Sequence, residues 1–254
     1  MSIQSEIIRI NANIANAYTA LSSKGAKMPG ERNSHNLVEA IGSIPLNAEA
    51  MSIETIWAIC GYEPNGGLPD GYTPLEYIQS NGTEYIDTGF QPNQDTKVVM
   101  DVQSVGVNTA DTGQSFFGAR NGSAYRFFAF WHRTNAAYYL YYNNTNKSVA
   151  SDRLTDRMVV TMDKNALYVG ASVSVSADYA TFECAQNMYL FATNLDGTAD
   201  YFGVNRVYSC QIYDNGALVR DFVPCTNASG EYGLYDLVNS QFYGNAGSGA
   251  FTGG

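Results

Sequence analysis

The side chains best suited to chemistry in this chain are its carboxylates, two histidines, four cysteines and one dense run of aromatic rings. A sandwich glycosidase needs two carboxylates facing one groove, about 5–5.5 Å apart for a retaining mechanism. On a strand, that pair would sit at i, i+2 or i, i+4. Glu76, Glu84 and Glu183 have no such partner on a strand-like segment; Glu84 and Asp87 stand at i, i+3, on opposite faces of an extended chain. His35 and His132 lie in different modules, so they share no triad. Cys60, Cys184, Cys210 and Cys225 make neither a CxxC nor a zinc spacing. The expectation is a chain with no catalytic residues, one that is not an enzyme.

The aromatic run is the strongest binding signal. Tyr125, Phe127, Phe128, Phe130, Trp131, His132, Tyr138, Tyr139, Tyr141 and Tyr142 crowd into one predicted hairpin. Successive side chains of a strand point to opposite sides, so these rings cannot all face one core. If Tyr125 and Phe127 face inward, Arg126, Phe128, Phe130 and His132 share the other side; either parity satisfies the pattern. Rings with polar tips suit sugar rings or a partner protein, and neighbouring asparagines could bond hydroxyls. The candidate glycan-binding set is Phe128, Phe130, Trp131, His132, Tyr139, Tyr141 and Asn143. The competing expectation is a subunit interface or an ordinary two-layer core. Nineteen Tyr against two Trp, with only 15% charged residues, fits an adaptable polar contact surface.

The elements that must position these residues divide the chain in three. Residues 1–60 read as helical, 61–72 as a Gly/Pro-rich linker and 73–254 as a β head. Ile3, Ile7, Ile10, Ile14, Ala17 and Leu21 follow a four-three spacing, an a/d seam that favours trimers or tetramers when Ile fills both positions. Gly25 ends this helix, a second starts near Asn33 or Ser34 and runs to about Ser43, and a third spans about 49–60. From Thr73 the period becomes two: Val98, Met100 and Val102 alternate with polar residues, and Val204, Tyr208, Cys210 and Ile212 mark another strand. Asn81-Gly82, Asn121-Gly122 and Asn215-Gly216 signal turns. The expected fold is mainly β, an antiparallel jelly-roll sandwich behind a helical coiled-coil module.

Charge excludes some partners. The chain carries −10, and residues 73–254 hold 10 Lys+Arg against 17 Asp+Glu, a net −7. Nucleic acid and anionic lipid both call for basic patches. No apolar run approaches the roughly 20 residues of a membrane span, and no basic-then-apolar secretory leader opens the chain. The three head cysteines sit in apolar contexts as buried thiols, consistent with synthesis in a reducing cytosol and release by lysis.

The segments Glu84-Tyr85-Ile86-Asp87-Thr88-Gly89-Phe90 and Phe116-Phe117-Gly118-Ala119-Arg120 resemble a β-sandwich family of the concanavalin-A-like (laminin-G-like) type. The closing segments resemble it more closely: Val207-Tyr208-Ser209, Ile212-Tyr213-Asp214-Asn215-Gly216, Val219-Arg220-Asp221-Phe222-Val223-Pro224-Cys225, Gly233-Leu234-Tyr235-Asp236 and Phe242-Tyr243-Gly244-Asn245. Such domains occur in structural proteins of tailed bacteriophages. Residues 14–21 with 36–41 look like the short helical module at the front of phage tail and fibre proteins. The resemblance implies a virion protein of the tail-fibre or receptor-binding type. It would be a homotrimer, docked to other virion proteins by its helical module and binding host-surface carbohydrate through the head. A head-fibre, capsid-decoration or baseplate component that binds only protein is the alternative. The resemblance also implies a possible calcium ion, for which Asn194, Asp196 and Asp200 are the candidate oxygen ligands; a polar turn closed by Asx bonds is the plainer reading of that loop. No other cofactor is expected. Arg220 and Asp221 read as scaffold, an ion pair or turn-fixing pair.

Overall fold

The computed structural model describes residues 3–23, 25–34, 36–43, 67–170 and 173–254. The chain forms two compact units, Met1–Gly67 and Leu68–Gly254.

In the first unit, α1 (Ile3–Ser23) packs on α2 (Leu37–Gly42). Gly25 has φ 78°, its N–H donates to Ser22 O, and Ala26 N–H reaches back to Leu21 O. That pair of bonds is the Schellman ending for which a Gly is preferred. Tyr18 and Leu21 are buried with Ala26 and Ala40, and Ile14, Leu37 and Ile41 pack around them. The end of the heptad seam is therefore covered within the chain: Leu21 and Ile14 meet α2, and Ala17 is 2% exposed. This end of the seam, read from its spacing as a contact between copies, thus has a partner within the chain. The side chains of Ile3, Ile7 and Ile10 lie outside the described residues. The second helix starts later than expected because Asn33 Oδ1 accepts Asn36 N–H and Asn36 Nδ2 donates to Glu31 O, closing turns instead. The expected third helix and the linker up to residue 66 lie outside the described residues.

The second unit is built of strands: β1 (Thr73–Pro74), β2 (Ile78–Gln79), β3 (Ile86–Asp87), β4 (Lys97–Ser104), β5 (Gly113–Asn121), β6 (Ala124–His132), β7 (Ala137–Tyr142), β8 (Thr145–Ala150), β9 (Met158–Asp163), β10 (Ala166–Val169), β11 (Val173–Ser176), β12 (Tyr189–Leu190), β13 (Thr193–Leu195), β14 (Thr198–Asp200), β15 (Asn205–Asp214), β16 (Ala217–Thr226), β17 (Tyr232–Asp236), β18 (Gln241–Tyr243) and β19 (Thr252–Gly253). One sheet runs β11-β10-β9-β4-β15-β16-β17-β18, the other β14-β13-β5-β6-β7-β8, with the short strands attached at their sides. The long neighbours pair antiparallel; β13 beside β5 is parallel. One continuous core joins the sheets into a sandwich-like arrangement. Val98, Met100, Val160, Met162 and Ile212 of the first sheet meet Phe117, Phe127, Ala129, Leu140 and Tyr142 of the second.

The alternation expected for β4 is present: Val98, Met100 and Val102 are fully buried between half-buried neighbours. In β15 the pattern breaks. The register against β4 shifts between Val207 and Ser209, so Tyr208 is the extra residue of a bulge. Val207 takes the inward place, and Tyr208 turns outward under the Arg157 guanidinium, 3.8 Å from its ring centre. The head begins at Leu68, ahead of the expected Thr73, because Leu68 is buried with Cys225 and Tyr235, and Tyr72 packs against them.

Arg220 does not pair with Asp221. It lies 3.5 Å from Asp236, a carboxylate with no exposed surface. Asp236 also accepts the N–H groups of Asp221 (2.9 Å) and Val238 (3.1 Å) and the Asn239 amide (2.6 Å). It thereby fixes the β16–β17 ladder and the turn after it. Asp221 instead accepts Gln211 Nε2. Removing one side of a buried, hydrogen-bonded charge pair costs about 3–5 kcal/mol, so Asp236→Ala is expected to lower stability by that amount in denaturant unfolding. Cysteine reactivity gives a second check. Burial pushes the Cys225 thiol up to about 12 and Cys210 higher still. Both are expected to stay protonated and resist alkylation at pH 8 until the chain unfolds, read by mass spectrometry.

Candidate functional site

Parity on the β6–β7 hairpin is now fixed. Phe127, Ala129, Trp131, Tyr138, Leu140 and Tyr142 face the core between the sheets. Phe128, Phe130, His132, Tyr139 and Tyr141 point out from the other face of the smaller sheet and stack on one another. Of the seven candidate residues, these five share the outward side. Trp131 does not: it is a core residue, 8% exposed, and its indole N–H donates to Ser151 O. Its place opposite Tyr138 in the register dictates this. Asn143 stands at the β7–β8 turn, where its Oδ1 accepts Arg126 Nη1 at 3.1 Å.

The stacking has a direction. Tyr201, Phe130 and Tyr139 form a column with ring centres 5.5 and 5.3 Å apart and planes within 2° and 10° of parallel. Phe128 and Tyr141 lie 4.2 Å apart at 7°. At these separations the rings are offset-stacked, and the pairs Phe128–Tyr141 and Phe130–Tyr139 stack across from β6 to β7. One face of Tyr139 and of Tyr141 is thus taken by the rings of β6. Beyond them lies β8, the last strand of the sheet, where the register sets Ser148 beside Tyr139 and Asn146 beside Tyr141. Ser148 and Asn146 are exposed and short, and they leave a ledge with Tyr139 in its wall and small polar side chains as its floor. Asn135 Nδ2 donates to Tyr139 Oη at 2.7 Å and Asn146 Nδ2 to Tyr141 Oη at 3.4 Å, which fixes both phenols. Asn143, in the β7–β8 turn, stands at one end. His132, whose Nδ1 accepts Asn135 N–H, closes the other. From residue 126 to 132 the strand runs about 20 Å.

Phe128 and Phe130 are 1% and 3% exposed despite facing outward. They are the inner row that holds the tyrosines. Their own support comes from β5, where Gly118 is paired with Phe128, and a Cβ there would stand 2.0 Å from the Phe128 Cβ. At Gly113 a Cβ would stand 2.8 Å from the Phe130 ring and 3.0 Å from Tyr201. Tyr201, with φ 54°, and the two glycines were not legible as site residues: their partners are distant in sequence and no local pattern marks them. Behind Tyr201, burial and then the Asp200 charge push the Asp111 carboxyl up, against the Phe202 N–H that it accepts.

The proposed calcium ligands are not brought together. Asn194 and Asp200 occupy adjacent rungs of the β13–β14 hairpin and so opposite faces, while Asp196 sits in the turn. Asn194 uses its amide on Asn187 O and Gly197 N–H, Asp196 accepts Gln186 Nε2, and Asp200 accepts Tyr201 N–H. This is the Asx-closed turn, with Asp196 (φ 50°) and Gly197 (φ 85°) as its centre. Among the described residues no group of three or more His, Cys, Asp or Glu is gathered as a metal would need. Glu84 is buried and bonded to Ser80 Oγ, Asn81 N–H and Thr83 N–H, a turn-fixing role. Glu76 joins Arg157. Two concave regions lie elsewhere on the head, about 510 Å³ beside Tyr138 and Met158 and about 350 Å³ between Gln91 and Cys184; their rings, Tyr138 and Phe182, are buried.

No protein-family model matches the chain, and neither does any curated protein sequence. A solved structure to which it is similar is a mutant of Trypanosoma rangeli sialidase displaying trans-sialidase activity, with 13% identity and a TM-score of 0.33 over 49% of this chain. The matched part spans 21% of that protein. The expectation that the chain is not an enzyme is withdrawn: the lack of a carboxylate pair at strand spacing does not exclude an activity, and the neighbour displays trans-sialidase activity. At this TM-score the likeness assigns neither an activity nor its absence here.

The inner row is open to test. Gly118→Ala is expected to cost about 1–3 kcal/mol by overpacking, measured as a lowered melting temperature with loss of the near-ultraviolet aromatic signal.

Proposed function

We propose that this chain is a virion attachment protein of a tailed bacteriophage, of the tail-fibre or receptor-binding type, whose head binds host-surface glycan on the ledge over β8. The observation that carries the reading is the outward aromatic layer, with Tyr139 stacked on Phe130 and set opposite the exposed, short Ser148 of β8. A sugar ring presents an apolar face to an aromatic ring and hydroxyls to amides around it, and the ledge offers both. The sandwich is read as a concanavalin-A-like jelly roll, supported by two facing antiparallel sheets and the closing segments from Val207 to Asn245.

The helical module supplies attachment and copy number. With Ile14 and Leu21 engaged by α2, trimerisation rests on Ile3, Ile7 and Ile10 at the start of the seam. Three heads on one stalk raise weak single-site binding by avidity of about 10²–10⁴. Particle partners would dock on the same module, and the head would face the host.

Binding of the full chain to candidate host cells and to a glycan array tests this. Tyr139→Ala or Tyr141→Ala is expected to lower affinity by about tenfold or more, the loss typical of a contact hot spot, with melting temperature nearly unchanged. An intact oligomer by light scattering that binds no cell and no glycan would replace this reading with the protein-binding virion component.

A further inference from the structure

We infer that the Asn215-Gly216 turn between β15 and β16 is a modification site, where asparagine converts to aspartate and isoaspartate without an enzyme. The head has three Asn-Gly pairs. A glycine after asparagine has no Cβ to shield its backbone nitrogen or restrict its φ, so that nitrogen reaches the asparagine side chain more readily than that of any other residue. The structure separates the three. At Asn81-Gly82 the nucleophile is tied: Gly82 is buried and its N–H donates to Ser80 Oγ at 3.0 Å, while Asn81 Oδ1 accepts Gln79 Nε2 at 3.4 Å. At Asn121-Gly122 the side-chain amide is tied: Asn121 Oδ1 accepts Ala185 N–H at 3.3 Å and the Cys184 thiol at 3.6 Å. Asn215 and Gly216 are both exposed, and among the described residues nothing bonds the Asn215 amide. A Cβ built on Gly216 would meet nothing within 4 Å, so the turn is open to solvent there. A fourth pair, Asn65-Gly66, lies outside the described residues.

The Gly216 nitrogen gives its proton to solvent base and attacks Asn215 Cγ. The new nitrogen–carbon bond closes a five-membered succinimide. The Cγ–Nδ2 bond breaks, and the amide leaves as ammonia with a proton from solvent. Water then adds to one of the two ring carbonyls, giving aspartate by one opening and isoaspartate by the other; no oxidant or reductant takes part. The attack needs the Asn215 side chain and the peptide after it to rotate. Side-chain hydrogen bonds oppose that rotation at Asn81 and Asn121. At Asn215 it is opposed only by the turn itself, with φ 47° and 84°, closed by the single rung Asp214–Ala217. The product carboxylate stands beside Asp214, whose Oδ1 accepts Asn93 Nδ2 at 2.7 Å. Isoaspartate also routes the main chain through the side-chain carbon and lengthens the turn. The ledge belongs to the other sheet, so the change leaves it intact.

The test incubates the folded full chain at neutral and at mildly alkaline pH and follows each Asn-Gly peptide by mass spectrometry. Labelling by an isoaspartyl methyltransferase marks the rearranged product. Asn215 is expected to convert about tenfold faster than Asn81 or Asn121, the ratio that about 1.4 kcal/mol of hydrogen bonding at those two pairs produces. Its rate rises with pH, and in denaturant the three rates converge. Conversion of Asn81 or Asn121 as fast as Asn215 in the folded chain overturns the inference. So does an Asn215 that survives in the folded chain while the unfolded chain loses it.

Discussion

The head depends on one constraint, the strict alternation of side chains along β6 and β7. Those strands are so rich in rings that one face cannot absorb them. Phe127, Trp131, Tyr138 and Tyr142 fill the inter-sheet core, and the remainder must build a second aromatic layer on the outer side. That layer is stable only because neighbouring strands accommodate it. Gly118 and Gly113 give up their side chains where Phe128 and Phe130 lean over β5, and Tyr201 is carried in from the end of β14 in a left-handed conformation to cover Phe130. The outward tyrosines end up stacked on the rings of β6, beside the exposed side chains of β8.

Much of the fold was legible in the sequence, and for physical reasons. The alternation of Val98, Met100 and Val102 survives because β4 lies between two long ladders, with β9 and β15, that fix its register. Asn215-Gly216 has both φ values positive and joins β15 to β16 as the turn chemistry requires. The need for aromatics on two faces also followed from sequence alone, whereas the parity did not: Trp131 and Phe130 differ by one residue, and only the register against Tyr138 and Tyr139 decides which enters the core.

Other parts were invisible for equally concrete reasons. A bulge at Tyr208 shifts the inward pattern of β15 by one residue, a local event that periodicity cannot anticipate. The buried Asp236 takes Arg220 from its sequence neighbour Asp221, a choice made by tertiary packing. A heptad spacing in α1 points to a seam between copies, but spacing alone does not show that Ile14 and Leu21 also pack with α2. Oxygen-rich spacing in Asn194-Leu195-Asp196-Gly197-Thr198-Ala199-Asp200 looks like a cation loop until the hairpin places its first and last members on opposite faces.

The central claim is that the tyrosine faces over β8 are where the head meets its ligand. The most direct measurement is a nuclear magnetic resonance titration of the full chain with surface polysaccharide from candidate host bacteria, following backbone amides and tyrosine rings. The account predicts shifts confined to Tyr139, Tyr141, Asn146, Ser148 and their immediate neighbours on the outer face of the smaller sheet. Shifts centred instead on the outer face of the larger sheet, around Val159 and Tyr168, would contradict it.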